Sequence, residues 1–273
     1  MSNLREAPIG VFDSGIGGLT VVREIMRQIP EERLVYFGDT ARLPYGSKSQ
    51  KTILHFVRQI IRFLETKKVK AIVVACNTAS AYALETIEKE IDVPIIGVIK
   101  PGAKTAARTS RNGKVGVIAT DATIGSGLYT DFIRSINPEI QVFGKACPLF
   151  VPLVEEGLTH DFVTEEIARR YLKELQEKEI DTLILGCTHY PLLRSLIGGV
   201  MGDSVQLVNP AYETALSLRR LLTEKGLLSD GLAATEGKYE FYVSDGAEKF
   251  RVFANSILPR EIPATQVVDI EKY

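Results

Sequence analysis

Short apolar runs alternate with longer amphipathic stretches along most of the chain. "PIGVF" (8–12), "RLVYF" (33–37), "KAIVVA" (70–75), "VPIIGV" (93–98), "KVGVIA" (114–119), "QVFG" (141–144), "DTLILG" (181–186) and "VQLV" (205–208) read as strands. They are apolar almost throughout instead of alternating with polar residues, as strands buried on both faces of a parallel sheet must be. Between them, "LTVVREIMRQI" and "FVTEEIARRYLKELQEKE" carry helical periodicity. The second of these is the most charged segment, and its Glu165–Arg169 and Glu166–Arg170 pairs at i,i+4 spacing read as a solvated helix face. The alternation predicts βα units built around mostly parallel sheets.

The pattern also repeats. "IGVF" at 9–12 resembles "VGVI" at 115–118, an offset of 106. "AIVVACNTASAYAL" aligns with "TLILGCTHYPLLRSL" so that Cys76 faces Cys187, an offset of 111. "KPGAKTA" at 100–106 resembles "NPAYETA" at 209–215, an offset of 109. Three matches in order at nearly one spacing indicate a duplicated α/β half, with a period too long for a solenoid. The expected fold class is therefore α/β, with two similar, pseudo-symmetric domains of mostly parallel sheet facing each other across a cleft. Ligands of such sheets sit outside the carboxyl ends of the strands. Cys76 and Cys187 both fall at such an end.

Composition narrows the function. A length of 273 residues suffices for a sizeable core, near the size at which one core splits into two. Lys and Arg total 33 against 34 Asp and Glu, so no basic excess marks nucleic acid or an anionic membrane as a partner. The opening "MSNLREAPIGVF" lacks the apolar core of a signal peptide, and no apolar stretch has the length of a membrane span. The expected location is the cytoplasm. Cys76, Cys147 and Cys187 are odd in number, widely spaced and without a CxxC pair, which argues against a disulfide framework or a Cys-rich zinc site.

The repeated cysteine sets the chemistry. The reactive form of a thiol is the thiolate, and a helix amino terminus favours that negative charge. "CNTAS" and "CTHYP" each put the cysteine just before a predicted helix start, where Asn77, Thr78 and Thr188 add amide and hydroxyl groups. Inverting a stereocentre by proton transfer needs a base on one face and an acid on the other, and two facing thiols can exchange those roles. Asp13 in "FDSGIGG" and His189 lie at strand ends, where they would tune thiol protonation. The plainer readings are a turn or N-cap for Asp13 and a buried, hydrogen-bonded ring for His189. Cys147, in "ACPLF", reads as a buried apolar residue. "DSGIGGLT" (13–20) is not a P-loop and lacks the third glycine of a dinucleotide fingerprint. Its glycines read instead as permitting close approach to a small ligand or a tight turn into a helix. "DTARLPYG" (39–46) reads as a loop placed to contact substrate.

"GVFDSGIGGLTV", "GDTARLPYG", "ACNTAS", "GVIKPGA" and "LGCTHYPLL" together resemble the glutamate racemases of the aspartate/glutamate racemase superfamily, over nearly the whole chain. These are cofactor-independent enzymes that supply D-glutamate for bacterial peptidoglycan. The resemblance implies Cys76 and Cys187 as the acid–base pair, the first deprotonating D-glutamate and the second L-glutamate. It implies Asp13 as the helper beside Cys76, His189 as the helper beside Cys187, and Glu155, rather than its neighbour Glu156, as a further acidic residue of the site. Ser14, Tyr45, Gly46, Asn77, Thr78, Thr120, Thr123 and Thr188 match substrate-binding positions, which Asp13 and His189 join. It further implies no cofactor, no metal, a homodimer in many members, and a chain that crosses back. The division is then 1–98 plus 210–273 for the first domain and 99–209 for the second. Leu43 departs from the family pattern, as does Asp121-Ala122. Three other readings stay open from the residues alone: a racemase of aspartate or another small acid, a ligand-binding regulator on the same scaffold, and a Cys–His hydrolase.

Overall fold

Every strand read from the sequence is present in the computed structural model, which describes residues 4–231 and 238–273. The first three residues of the amino-terminal stretch, and 232–237 of the segment assigned to the first domain, lie outside the described residues. The first half runs β1 (Ile9–Asp13), α1 (Leu19–Gln28), β2 (Leu34–Gly38), α2 (Gln50–Thr66), β3 (Ala71–Val74), α3 (Asn77–Tyr82), α4 (Leu84–Ile87), β4 (Ile95–Gly97) and α5 (Ile99–Thr109). The second runs β5 (Lys114–Ala119), α6 (Asp121–Gly125), α7 (Leu128–Ile136), β6 (Gln141–Ala146), α8 (Phe150–Glu155), α9 (Phe162–Glu177), β7 (Thr182–Gly186), α10 (Arg194–Met201), β8 (Gln206–Val208) and α11 (Pro210–Glu224). The chain closes with β9 (Tyr239–Val243), α12 (Ala247–Ile257) and β10 (Gln266–Val267).

Among the described residues these strands form two wholly parallel sheets, ordered β10-β9-β2-β1-β3-β4 and β6-β5-β7-β8. The run β2-β1-β3-β4 matches β6-β5-β7-β8 strand for strand, so the sequence repeat is a repeat of topology. Strand β1, with β2, β3 and β7, is buried along its whole length, as continuous apolar runs require. The charged segment forms α9, and Arg170 Nε reaches Glu166 Oε1 at 2.8 Å on its exposed face.

The last helix of each repeat packs on the other repeat. Ile99, Ala103 and Ala106 of α5 join the core of Val115, Val117, Ile133 and Ile184 in the second half. Ala211, Ala215, Leu218 and Leu222 of α11 join that of Val11, Leu19, Val22 and Ile25 in the first. From this exchange we propose the division expected from the resemblance, 1–98 plus 210–273 and 99–209. In each sheet the order reverses around the first strand of the repeat, which leaves a crevice at the carboxyl ends of β1 and β3, and of β5 and β7. The two crevices supply the walls of one cavity.

Candidate active site

Loops at the carboxyl ends of six strands enclose a cavity of about 400 Å³, within the range of small-molecule sites. Ser14 follows β1, Leu43 to Ser47 follow β2, and Cys76, Asn77 and Thr78 follow β3. From the other half come Thr120 and Asp121 after β5, Pro148, Val151, Pro152 and Glu155 after β6, and Cys187, Thr188 and His189 after β7. Both repeated cysteines therefore line one space, each from its own half. No lysine or arginine is in this lining; besides the thiols and the His189 ring, its donors are hydroxyls, an amide and backbone N–H groups. Among the described residues no three His, Cys, Asp or Glu side chains gather as a metal-holding group.

Cys76 caps α3, its sulfur accepting the Ala79 N–H at 3.5 Å, and lies 3.8 Å from Ser14 Oγ. Burial, reinforced by the negative charge of Asp13, pushes this thiol up to about 12, so it holds its proton at neutral pH. Cys187 Sγ stands 3.8 Å from His189 Nδ1, and His189 Nε2 stands 3.2 Å from Glu155 Oε1. Burial disfavours charge on this imidazole. Its hydrogen bonds to Cys187 and Glu155 outweigh burial, however, and lift it to about 10, so it is an imidazolium at neutral pH. The same bond holds the Glu155 carboxyl below its ordinary range. Glu156 is exposed and outside the cavity.

Asp13 is fully buried and stands behind the lining. Its Oδ2 accepts the N–H groups of Gly15 and Gly18, each at 3.0 Å, and its Oδ1 lies 3.5 Å from Thr188 Oγ1. Asp13 is thus a turn residue and a neighbour of the thiol loops at once. Of the two roles expected of the glycines beside it, the contacts are those of a tight turn into α1 and not of an approach to a ligand. A Cβ on Gly18 would sit 2.4 Å from Asp13 Cβ, and one on Gly17 would sit 2.4 Å from Thr188 Oγ1 and 2.5 Å from His189 Nδ1. Gly18 is bare because the turn folds back onto Asp13, and Gly17 because the second half presses on it.

Thr78, Thr120 and Thr123 share a hydroxyl cluster, with Thr78 to Thr120 at 3.0 Å and Thr120 to Thr123 at 3.1 Å. Thr78 and Thr120 line the cavity; Thr123 sits behind them. Tyr45 lines the cavity, but its hydroxyl is engaged in donating to Asp39 Oδ2. Gly46 is glycine because a Cβ there would meet Thr120 Cβ at 2.9 Å. Cys147 is fully buried, and burial pushes its thiol well up, as an apolar residue requires. Pro148, Val151 and Pro152 also line the cavity, together with Leu43 and Pro44 from the other half, and were not legible in the sequence.

Residues 9–216 match the family model described as Asp/Glu/Hydantoin racemase. The chain is 47% identical over 263 residues to a glutamate racemase of Geobacter metallireducens, covering 96% of this chain and 97% of that protein. A glutamate racemase isoform from Bacillus anthracis superposes with a TM-score of 0.93 at 40% identity, covering 97% of this chain and 98% of that one. The glutamate racemase of Francisella tularensis, solved in complex with D-glutamate, gives 0.91 at 41% identity, over 98% of this chain and all of its own.

Proposed function

The chain belongs to the Asp/Glu/hydantoin racemase family, on its glutamate racemase side, and from that premise we propose that it interconverts L- and D-glutamate by passing the α-proton between two cysteines. The observation that carries this reading is the presence of Cys76 and Cys187 in one small cavity, from equivalent positions of two equivalent halves.

The surroundings of the two sulfurs divide the labour. His189, an imidazolium anchored by Glu155, stands against Cys187 and is the partner a thiolate needs. Cys76, buried near Asp13, is a thiol. Cys187 then takes the α-proton of L-glutamate while Cys76 supplies a proton to the opposite face, and the roles reverse for D-glutamate. Neutral donors from Ser14, Asn77, Thr78, Thr120 and Thr188, with backbone at Tyr45 and Gly46, hold the substrate's carboxylates. Asp13 and Thr123 support them from behind. The proposal includes a cytoplasmic location, a homodimer, and use of the D-glutamate in peptidoglycan assembly.

Circular dichroism of L-glutamate and of D-glutamate, each incubated with pure protein and no added cofactor, tests this. Both signals should converge to zero. Replacing either Cys76 or Cys187 by alanine should lower kcat/KM by roughly 10²–10⁴-fold or more, the range that general acid–base groups contribute. Signals that persist, with the thiols reduced, overturn the glutamate assignment, and normal turnover in both single variants overturns the two-thiol mechanism.

A further inference from the structure

Two hydrogen bonds cross between the halves and land next to the thiols. Thr20 Oγ1, in the first turn of α1, lies 2.9 Å from the carbonyl oxygen of Thr188, the residue after Cys187, and equally far from that of Gly17. Tyr129 Oη, in the first turn of α7, donates at 2.8 Å to Oδ1 of Asn77, the residue after Cys76. Both side chains are buried, so neither bond competes with water.

These contacts are equivalents under the internal duplication. "GLT" (18–20) and "GLY" (127–129) lead into α1 and α7 at an offset of 109, between the offsets of the other repeats. Their targets, Asn77 and Thr188, are offset by 111, as the two cysteines are. The same helix position in each half thus reaches across to the same loop position in the other. Tyr129 also passes against its own half's thiol loop. A Cβ on Gly186, immediately before Cys187, would meet its ring at 3.1 Å.

Resting on the two-thiol reading, we propose that Thr20 and Tyr129 are a reciprocal pair of positioning residues. Thr20 sets the placement of Cys187, and Tyr129 that of Cys76. Neither touches the reacting atoms. Thr20 fixes the backbone that carries Cys187 into His189. Tyr129 occupies the amide oxygen of Asn77, which holds the start of α3 in place and leaves the NH2 end for the cavity that Asn77 lines. Proton transfer to and from carbon is sensitive to such placement; a displacement of about 1 Å costs on the order of 10²-fold.

The test uses glutamate carrying deuterium at the α-carbon, as each enantiomer, with the wild-type protein and the variants Thr20→Val, Thr20→Ser and Tyr129→Phe. Enantiomers have equal free energy, so kcat/KM must be the same in both directions and rates alone cannot reveal a one-sided defect. Isotope effects can. Slowing the transfers of one sulfur raises the isotope effect on kcat/KM from the enantiomer it deprotonates, and lowers it from the other. Thr20→Val and Tyr129→Phe should each lower kcat/KM by about 10- to 10²-fold. The ratio of the L to the D isotope effect should move in opposite directions in the two, and Thr20→Ser should restore the wild-type ratio. Isotope effects are ratios and do not depend on the fraction of molecules folded, so a purely structural role would leave them unmoved. An unchanged ratio, or one that moves the same way in both variants, overturns the proposal. A wild-type protein that leaves both enantiomers unchanged overturns the two-thiol reading itself, and this pairing with it.

Discussion

At His189 burial and hydrogen bonding act in opposite senses, and the pH dependence follows from which wins. Its folded value, about 10, lies above the ordinary 6.5, so its charge contributes stability that is complete below about pH 6.5 and is lost as the pH rises through about 10. Glu155 is shifted the other way; its contribution is present above the ordinary 4.5 and fades as the pH falls below it. The difference in urea stability between wild type and His189→Asn should therefore shrink between pH 6.5 and 10, and a difference that is flat across that window would contradict the assigned imidazolium. Activity should follow, with kcat/KM falling through about pH 10 in the wild type. His189→Asn should lie lower by roughly 10²-fold at neutral pH, within the range for acid–base groups. Much of this site was legible in the sequence. Cys76 and Cys187 announce themselves because a cysteine recurs at equivalent strand ends of two halves, whereas Asp13 and His189 had ordinary readings beside them and were singled out by the family resemblance. Thr20 and Tyr129 do not announce themselves, since a threonine and a tyrosine opening amphipathic helices look ordinary until their partners, 168 and 52 residues away, are brought beside them.

Strands and turns show the same division between what a local pattern carries and what only packing supplies. The eight strands of the duplicated run were readable as apolar runs, even β6, which has no buried residue. β9 was not, because Glu240 interrupts "YEFYV", and neither was β10, whose two residues are both exposed. Neither belongs to the duplicated run, so the repeat gave no help. The glycines of the loop between β1 and α1 were visible as a turn signal, but not what crowds each: Gly15 and Gly18 meet Leu43, Asp13 and Tyr36 of their own half, and Gly17 meets Thr188 and His189 of the opposing one. This separates two substitutions that look alike in sequence. Gly17→Ala places a methyl group 2.4 Å from Thr188 Oγ1 and 2.5 Å from His189 Nδ1, against groups fixed on both sides. It should cost about 1–3 kcal/mol by overpacking and most of the activity. Gly125→Ala, at the end of α6, meets nothing within 4 Å and has no positive φ. It should leave activity intact and add about 0.4–1 kcal/mol by restricting the unfolded chain. Urea denaturation with parallel racemisation assays reads both, and equal effects from the two glycines would contradict the packing of the loop.

Across the whole molecule, the exchange of α5 and α11 makes each half's core depend on a helix supplied by the other repeat. Once the helices are exchanged each core is complete within its own domain. What joins the two is the packing of α5 against α11 and the buried bonds from Thr20 to Thr188 and from Tyr129 to Asn77. If these contacts couple the domains, the chain melts in one transition, with the same midpoint by far-ultraviolet circular dichroism and by tyrosine fluorescence. The cavity gives an independent check, because its wall is drawn from both halves and a ligand there stabilises only the joined state. At a glutamate concentration about 100 times its dissociation constant, the stabilisation is about 2.7 kcal/mol. For a chain of this size that raises the melting temperature by about 5–10 °C. The single transition should shift as a unit. Two transitions, or a ligand that moves one probe's midpoint and leaves the other's in place, would mean that the crossed helices do not couple the halves. The two thiols would then face each other only as well as two independently folded bodies happen to dock.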